Sequence, residues 1–304
     1  MPACLHHRIA GVDYLVTFPP GVTARAPGAI QSEFVGHPPP GRDVIRVDLV
    51  AGEMPDLSSW RPLVSNGPAW SIRQNGAQRC LCLGKLSDDQ PSGLVACWQG
   101  TAKHATVHFG PEYLTAQGDS VELSNSAGYP VDQLLLMYYL APRQGLLVHA
   151  AGLVADGRAL IFPGVSGAGK STLAKQFLAR DWPSLLSDDR VIVRKMGSSH
   201  VAFGTPWPGD AGVAVNASAP LAALLFPAKG VENRISELSP QAALHRLLPA
   251  TSILWHEQEL LFSQLDTCEH LLSHIPAFEL SWSLNTGVVD DVHEFVRRIP
   301  DSRG

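Results

Sequence analysis

The chain has 304 residues, of which 45% are hydrophobic and 17% are charged, and its formal net charge is −5. A chain of this length and apolar content can bury a sizeable core and favours two domains. The chain has a net negative charge and no basic block, so we do not expect nucleic acid to be its main partner. The apolar stretches are too short for a membrane span. The chain start also lacks a signal-peptide core, so we expect a cytoplasmic protein.

The first part of the chain, residues 1–128, alternates short apolar runs with turn signals, which is typical of a β-rich domain. Asn75-Gly76 lies between two of these runs and predicts a hairpin. The stretch 52–62 is rich in turn-forming residues and predicts a long loop. The predicted strands are 14–18, 44–50, 69–73, 80–83, 94–98, 106–109 and 121–123.

The five cysteines are odd in number and lack the paired spacing of a zinc site. Cys80 and Cys82 point to one face of a predicted strand, which leaves a metal or redox role open. Buried free thiols are the favoured interpretation, because free cysteine behaves as a small apolar residue.

The pattern changes near Tyr129, where Pro130 stands close to the start of a predicted helix over 132–140. We therefore predict a domain boundary between residues 128 and 129. Domain 129–304 alternates strands and helices, as an α/β fold does. After the first 60 residues of this domain, strands are predicted at 191–195, 201–203, 222–226 and 278–284, and helices at 240–248, 253–273 and 289–298.

A glycine-rich segment between a predicted strand, 159–162, and a predicted helix that opens at 172 fits the pattern G-x-x-x-x-G-K-[ST]. In this pattern, backbone N–H groups and the helix N-terminus face a phosphate chain. Lys170 neutralises the β and γ phosphates, and the Ser171 hydroxyl can bind Mg²⁺. The predicted nucleotide-binding residues are Gly164, Val165, Ser166, Gly167, Ala168, Gly169, Lys170, Ser171 and Thr172.

Two adjacent carboxylates, Asp188 and Asp189, follow the helix after the apolar pair Leu185-Leu186. In a βαβ unit the helix returns the chain, so the next strand ends beside the phosphates. We expect both carboxylates at the mouth of the site, where one holds Mg²⁺ and the other accepts a proton from an attacking hydroxyl. A solvated acidic turn is the alternative interpretation.

Residues 146–162 are predicted to form two strands joined by an Asp156-Gly157 hairpin, with His149 in the first strand. This hairpin, the segment 164–172 and the run 188–191 together resemble the C-terminal catalytic domain of HPr serine kinase/phosphorylase, whose fold is shared with phosphoenolpyruvate carboxykinase. The resemblance implies an α/β P-loop kinase domain, preceded here by a β-rich N-terminal domain. It is specific because ordinary P-loop ATPases usually place their metal-binding Asp much farther along the chain.

The resemblance also implies roles for the matching residues, with ATP and Mg²⁺ as cofactors. Lys170 and Ser171 bind nucleotide and metal, and His149 lies near the acceptor hydroxyl. Asp189 is assigned as the base and Asp188 as a metal ligand, and the reverse assignment stays open.

The family's downstream acidic residue and its arginine-bearing substrate motif have no clear match, so Asp210 and Arg234 are candidates for those roles. The N-terminal half shows no likeness to the family's regulatory domain. The whole chain, including the segment 204–210, more closely resembles the HPr-kinase-related proteins found with peptide natural-product biosynthesis. Within it, Trp207 stands between two prolines, and we predict an exposed anchor for the acceptor; a Trp covering the edge of the core is the alternative.

Two classes of function remain. The first is an ATP-dependent kinase that phosphorylates a hydroxyl, with a serine of a peptide or small protein as the preferred acceptor and a small molecule as the second choice. The second is a non-catalytic, nucleotide-dependent switch or binding protein whose β-rich half binds a partner. The adjacent carboxylates favour the kinase, because a sensor needs only one metal ligand. The oligomeric state, the nucleotide preference and reverse phosphorolysis are left open.

Overall fold

The computed structural model describes residues 4–25, 28–36, 40–67, 69–84, 86–87, 90–91, 93–117, 120–124, 128–180, 184–284 and 287–299. The chain divides into two units, over residues 1–139 and 140–304. Within the described ranges, no helix is long and apolar enough to cross a membrane.

The first unit is built mainly from strands, which confirms the predicted β-rich region. Eight strands form one sheet in the order β1-β2-β4-β11-β10-β7-β6-β5, three form a second sheet in the order β12-β13-β3, and β8 pairs with β9. The strands are β1 (Cys4–Ile9), β2 (Val12–Thr17), β3 (Val22–Ala24), β4 (Val44–Ala51), β5 (Arg61–Asn66), β6 (Trp70–Asn75), β7 (Gln78–Leu83), β8 (Leu86–Ser87), β9 (Gln90–Pro91), β10 (Leu94–Gln99), β11 (His104–Phe109), β12 (Leu114–Gln117) and β13 (Ser120–Leu123), with a short helix α1 (Ala29–Glu33).

Two strands of the large sheet, β1 and β5, were not predicted, and both are edge strands. An edge strand has only one neighbouring strand and buries fewer of its side chains, so apolar and polar residues alternate less clearly in its sequence. β5 begins inside the predicted loop 52–62 and contains Pro62, where its pairing with β6 shifts register. Proline is tolerated in a sheet at such an edge or bulge. The predicted hairpin at Asn75-Gly76 is confirmed, with Asn75 paired to Gln78 across the turn.

The thiols of β7 are buried and free, as favoured from the sequence. The Sγ atoms of Cys80 and Cys82 lie 3.8 Å apart. They pack with Leu57 and Val95 in a small apolar cluster, so their burial accounts for their presence.

Helix α2 (Val131–Leu140) packs into the first unit although its sequence marks the change of pattern. The ring of Tyr138 meets the ring of Trp98 edge to face, with centroids 4.9 Å apart. The Tyr139 hydroxyl donates a hydrogen bond to Asp43 at 3.2 Å. The boundary proposed between residues 128 and 129 stays a prediction.

The second unit contains a sheet in the order β15-β14-β17-β18-β19-β21-β20, in which β16 also pairs with β14 and β15 also pairs with β19. The elements are β14 (Gly145–Ala155), β15 (Arg158–Pro163), α3 (Lys170–Leu178), β16 (Ser184–Ser187), β17 (Arg190–Met196), β18 (Ser199–Phe203), β19 (Ser218–Lys229), β20 (Arg234–Glu237), α4 (Pro240–Ala250), α5 (Gln258–His274), β21 (Ala277–Trp282) and α6 (Val288–Arg298).

Helices cover both faces of this sheet, as successive residues of β15 indicate. Ile161 belongs to the core cluster that contains Leu247 of α4. Phe162 belongs to the other cluster, with Phe177 of α3 and Val292 of α6. Alternate side chains of a strand point to opposite faces, so each buried position of β15 contributes to a different layer. The predicted α/β character of this unit is confirmed.

The hairpin between β14 and β15 is confirmed at its predicted turn. Asp156 and Gly157 have φ values of 51° and 75°, as a two-residue turn of type I′ requires. This turn sets the register of β14 on β15, and β15 leads directly into the glycine-rich segment.

Helix α5 was predicted to begin at residue 253 but begins at Gln258. The Gln264 side chain explains the difference. Its amide oxygen accepts a hydrogen bond from the Leu254 N–H at 2.9 Å, and its amide nitrogen donates to the Ser252 carbonyl at 3.0 Å. These bonds hold the apolar segment in a non-helical path, which a residue pattern alone does not reveal.

Candidate functional site

Four strands of the second unit end at one edge of the sheet. β15, β19 and β21 are parallel. β16 runs in the same direction, because both β15 and β16 pair antiparallel with β14. Ligands of α/β sheets bind outside the carboxyl ends of the strands, so this edge is where a site is expected. The strand ends carry the glycine-rich loop after Pro163, the Asp188-Asp189 pair, Lys229 and Trp282.

The glycine-rich loop over 164–169 joins β15 to α3, in the predicted order of strand, loop and helix. Gly167 and Gly169 have φ values of 83° and 91°, in the left-handed region that glycine adopts without strain. Gly169 also lies close to the indole of Trp282, since an added Cβ would be 3.4 Å from that ring. A larger residue at 169 would therefore strain the backbone and crowd the indole.

Lys170 is the first residue of α3, and the residue is only 4% exposed. Its Nζ donates a hydrogen bond to the Val165 carbonyl at 3.0 Å, across the loop. Burial lowers the pKa of Lys170, while the nearby Asp189 charge opposes that shift. Among the described residues, the Lys170 ammonium donates one hydrogen bond, to the Val165 carbonyl. A phosphate oxygen can replace that carbonyl.

A cavity of about 560 Å³ opens over the loop. This volume lies in the usual range of small-molecule sites, about 300–1,000 Å³. The cavity brings together predicted residues from four separate stretches of the chain. It is lined by His149, Ser166, Gly167, Gly169, Lys170, Ser171, Thr172, Asp189, Gly209, Asp210 and Lys229.

His149 and Asp189 form a pair within this cavity. His149 Nε2 lies 2.8 Å from Asp189 Oδ1, and Arg190 Nη1 lies 3.6 Å from Asp189 Oδ2. The hydrogen bond from His149 holds the pKa of Asp189 below its usual range, against the opposing effect of burial, and the charges of Arg190 and Lys170 add to it. Asp189 is therefore an ionised carboxylate at neutral pH, oriented by an imidazole.

Asp188 does not line the cavity, and the expectation of two carboxylates at its mouth needs correction. The Asp188 side chain is fully buried. Its oxygens accept hydrogen bonds from the backbone N–H groups of Gly209, Ala211 and Val213, at 2.9, 2.7 and 3.1 Å. This geometry supports a structural role for Asp188, which holds the loop that carries Asp210, in place of the Mg²⁺ ligand assigned from the sequence.

We expect Asp188→Asn to lower the free energy of unfolding by about 3 kcal/mol, because the amide loses the charge and one acceptor oxygen while backbone donors stay buried. Urea denaturation measures this change. Asp266→Asn, on an exposed position of α5, is the matched control and should be neutral. A neutral Asp188→Asn would contradict the structural role.

Trp207 and Arg234 also lie away from their predicted places. Trp207 is 6% exposed, so the predicted exposed anchor is wrong and the alternative, a Trp that covers part of the core, describes it better. Arg234 begins β20, a strand at the end of the sheet order, and does not line the cavity. Asp210, by contrast, is exposed and lines the cavity.

Trp207→Ala should therefore act on stability. We expect a loss of about 3 kcal/mol in the free energy of unfolding, since large-to-small changes of buried aromatics leave a cavity. Trp255→Ala provides the control, because Trp255 is 63% exposed. Equal denaturation midpoints for the two variants would show that Trp207 contributes no buried packing.

Two lining residues, Gly209 and Lys229, were not predicted. The strand containing Lys229 was predicted to end at residue 226, whereas β19 continues to Lys229. The signal that could have found Lys229 is topological: a strand parallel to β15 and next to it must end beside the loop.

A divalent cation fits this cavity. No group of three or more His, Cys, Asp or Glu side chains in the described residues could hold a metal ion by itself. Mg²⁺, however, is usually held by one or two carboxylates together with substrate phosphates and water, and not by an all-protein cage. Ser171, Asp189 and Asp210 all line the cavity and carry hydroxyl and carboxylate oxygens of that kind.

Comparison with known proteins gives three findings. A solved structure described as the Hpr(Ser) kinase/phosphatase from Coxiella burnetii is similar at 13% identity, covering 50% of this chain and 88% of that one, with a TM-score of 0.29, which is too low to assign a fold. No curated protein matches the sequence. The model of the family described as SynChlorMet cassette protein ScmC matches residues 131–296, more than half of the chain. The chain therefore belongs to the SynChlorMet cassette protein ScmC family.

Proposed function

We propose that the protein is a Mg²⁺-dependent kinase of the HPr-kinase type that transfers the γ-phosphoryl group of ATP to a hydroxyl. A serine of a peptide or small protein is the preferred acceptor. The observation that carries the proposal is the convergence of the glycine-rich loop, Lys170 and the His149–Asp189 pair on one cavity.

In this proposal the loop N–H groups and the N-terminus of α3 bind the phosphates, and Lys170 exchanges its Val165 carbonyl for a phosphate oxygen. Ser171 and Asp210 would hold Mg²⁺, with Asp210 replacing the buried Asp188 in that role. The bound ion would neutralise charge on the phosphoryl oxygens.

Asp189 orients the acceptor hydroxyl and takes its proton as the oxygen bonds to phosphorus and ADP departs. Its low pKa keeps the carboxylate ionised at neutral pH, so it can accept a hydrogen bond from the hydroxyl and position it for transfer. His149 fixes the carboxylate through the 2.8 Å contact. His149 is thus a positioning residue for Asp189.

The test is transfer of label from γ-labelled ATP to three acceptor pools: serine-containing peptides, small proteins and small hydroxyl compounds. We expect labelled peptide or protein, identified by mass spectrometry, and no label with Lys170→Ala. Label in the small-molecule pool alone would show that the acceptor is a small hydroxyl compound and not a peptide or protein serine. Nucleotide binding without transfer to any pool would instead support the non-catalytic switch.

A further inference from the structure

Lys229 faces the loop from the side opposite to Asp189. It is the last residue of β19, which lies directly beside β15 and parallel to it. On the other side of β15, β14 contributes His149 and β16 leads to Asp189. The cavity thus has its carboxylate–imidazole pair on one flank and a lysine on the other.

The backbone of Lys229 is held against the loop through Trp282. Lys229 and Trp282 are register partners of β19 and β21, and the Gly230 N–H donates to the Trp282 carbonyl at 2.9 Å. The indole of Trp282 lies beside Gly169 of the loop. Trp282 therefore supports both Gly169, the last glycine of the loop, and the end of β19 that carries Lys229.

The ammonium of Lys229 makes no hydrogen bond or ion pair with any residue of the described ranges, and Lys229 is exposed. An exposed lysine without a partner is ordinary on a protein surface. This lysine, however, lines the same cavity as Lys170 and the helix N-terminus, where phosphate is expected. A second cation at that place would stabilise the negative charge of a bound polyphosphate by electrostatic attraction.

We infer that Lys229 is a second phosphate-binding cation, which contacts the terminal phosphates of the nucleotide across from Asp189. The inference rests on the proposed function. It also gives the site a ligand preference: a nucleoside triphosphate binds more tightly than a monophosphate of the same base, and Lys229 accounts for part of the difference.

The experiment is calorimetric titration of the full chain with Mg-ATP, using a non-hydrolysable analogue as a check, and with AMP. The proteins are the wild type, Lys229→Gln, Lys229→Arg and Lys175→Gln. Lys175 is the matched control, because it is an exposed lysine of α3 outside the cavity.

We expect Lys229→Gln to raise the Kd for ATP about tenfold, the size of one hydrogen bond between charged groups, and to leave the Kd for AMP unchanged. Lys229→Arg should largely restore ATP affinity, and Lys175→Gln should match the wild type. If Lys229 had a purely structural role, Lys229→Gln would raise the Kd for ATP and for AMP together, and Lys229→Arg would not restore the affinity.

An unchanged Kd for ATP in Lys229→Gln, or an equal loss for ATP and AMP, would overturn the inference while the proposed nucleotide site stands. A wild-type protein that binds no nucleotide would overturn both.

Discussion

Replacement of Lys170 by alanine is expected to abolish phosphoryl transfer and to raise the Kd for ATP by about a hundredfold. Lys170 is the ammonium held within the loop, and losing a charged contact with phosphate costs about 3 kcal/mol. Titration with Mg-ATP and the γ-label assay measure the two effects. Lys175→Ala, on the same helix, should retain wild-type values.

The stability of Lys170→Ala should be unchanged or slightly raised. Burial lowers the pKa of Lys170 in the folded chain. A lysine with a depressed pKa destabilises the folded state at neutral pH, and this cost is relieved only as the pH rises toward the unfolded value. A Lys170→Ala variant with wild-type turnover would refute the assignment of Lys170 to the nucleotide site. An unfolded variant would show that Lys170 mainly supports the fold.

Asp189→Asn is expected to lower kcat by about 10²–10⁴, the range for removing a group that accepts a proton from the nucleophile, with the Kd for ATP changed only slightly. His149→Gln should lower kcat less, because it disturbs the orientation of Asp189 and leaves the carboxylate in place. Single-turnover kinetics at saturating ATP separate the chemical step from binding.

The pH dependence follows from the depressed pKa of Asp189. The carboxylate stays ionised through the neutral range, so its protonation should not reduce turnover above about pH 4. Its contribution to stability is likewise complete at neutral pH and is lost only as the pH falls through the lowered pKa. A small effect of Asp189→Asn on turnover, no larger than that of Asp188→Asn, would contradict the assignment of Asp189 as the group that accepts the proton.

The strand, loop and helix around 164–172 could be predicted because the signal is local. Glycines at positive φ and an adjacent lysine are visible in the sequence. The position of Asp189 beside the loop followed from the return path of a βαβ unit. These features depend on short stretches of chain, for which residue patterns are informative.

The different environments of Asp188 and Asp189 could not be predicted, because the two residues are identical and adjacent. Which carboxylate enters the cavity depends on the loop 209–213, whose N–H groups bind Asp188. Lys229 was missed for a related reason, since its place is set by the pairing of β19 with β15, which are far apart in the sequence. The exposure of Trp207 likewise depends on packing that its flanking prolines do not specify.

Hydrogen exchange of the full chain, with and without Mg-ATP, tests the central claim most directly, because it locates the nucleotide without assuming an acceptor. We expect nucleotide to slow exchange in segment 164–172 and, through Asp210, in segment 209–213. The sheet of the first unit should be unaffected. Slowed exchange confined to residues 4–139, or no change at saturating Mg-ATP, would contradict the assignment of this cavity as the nucleotide site.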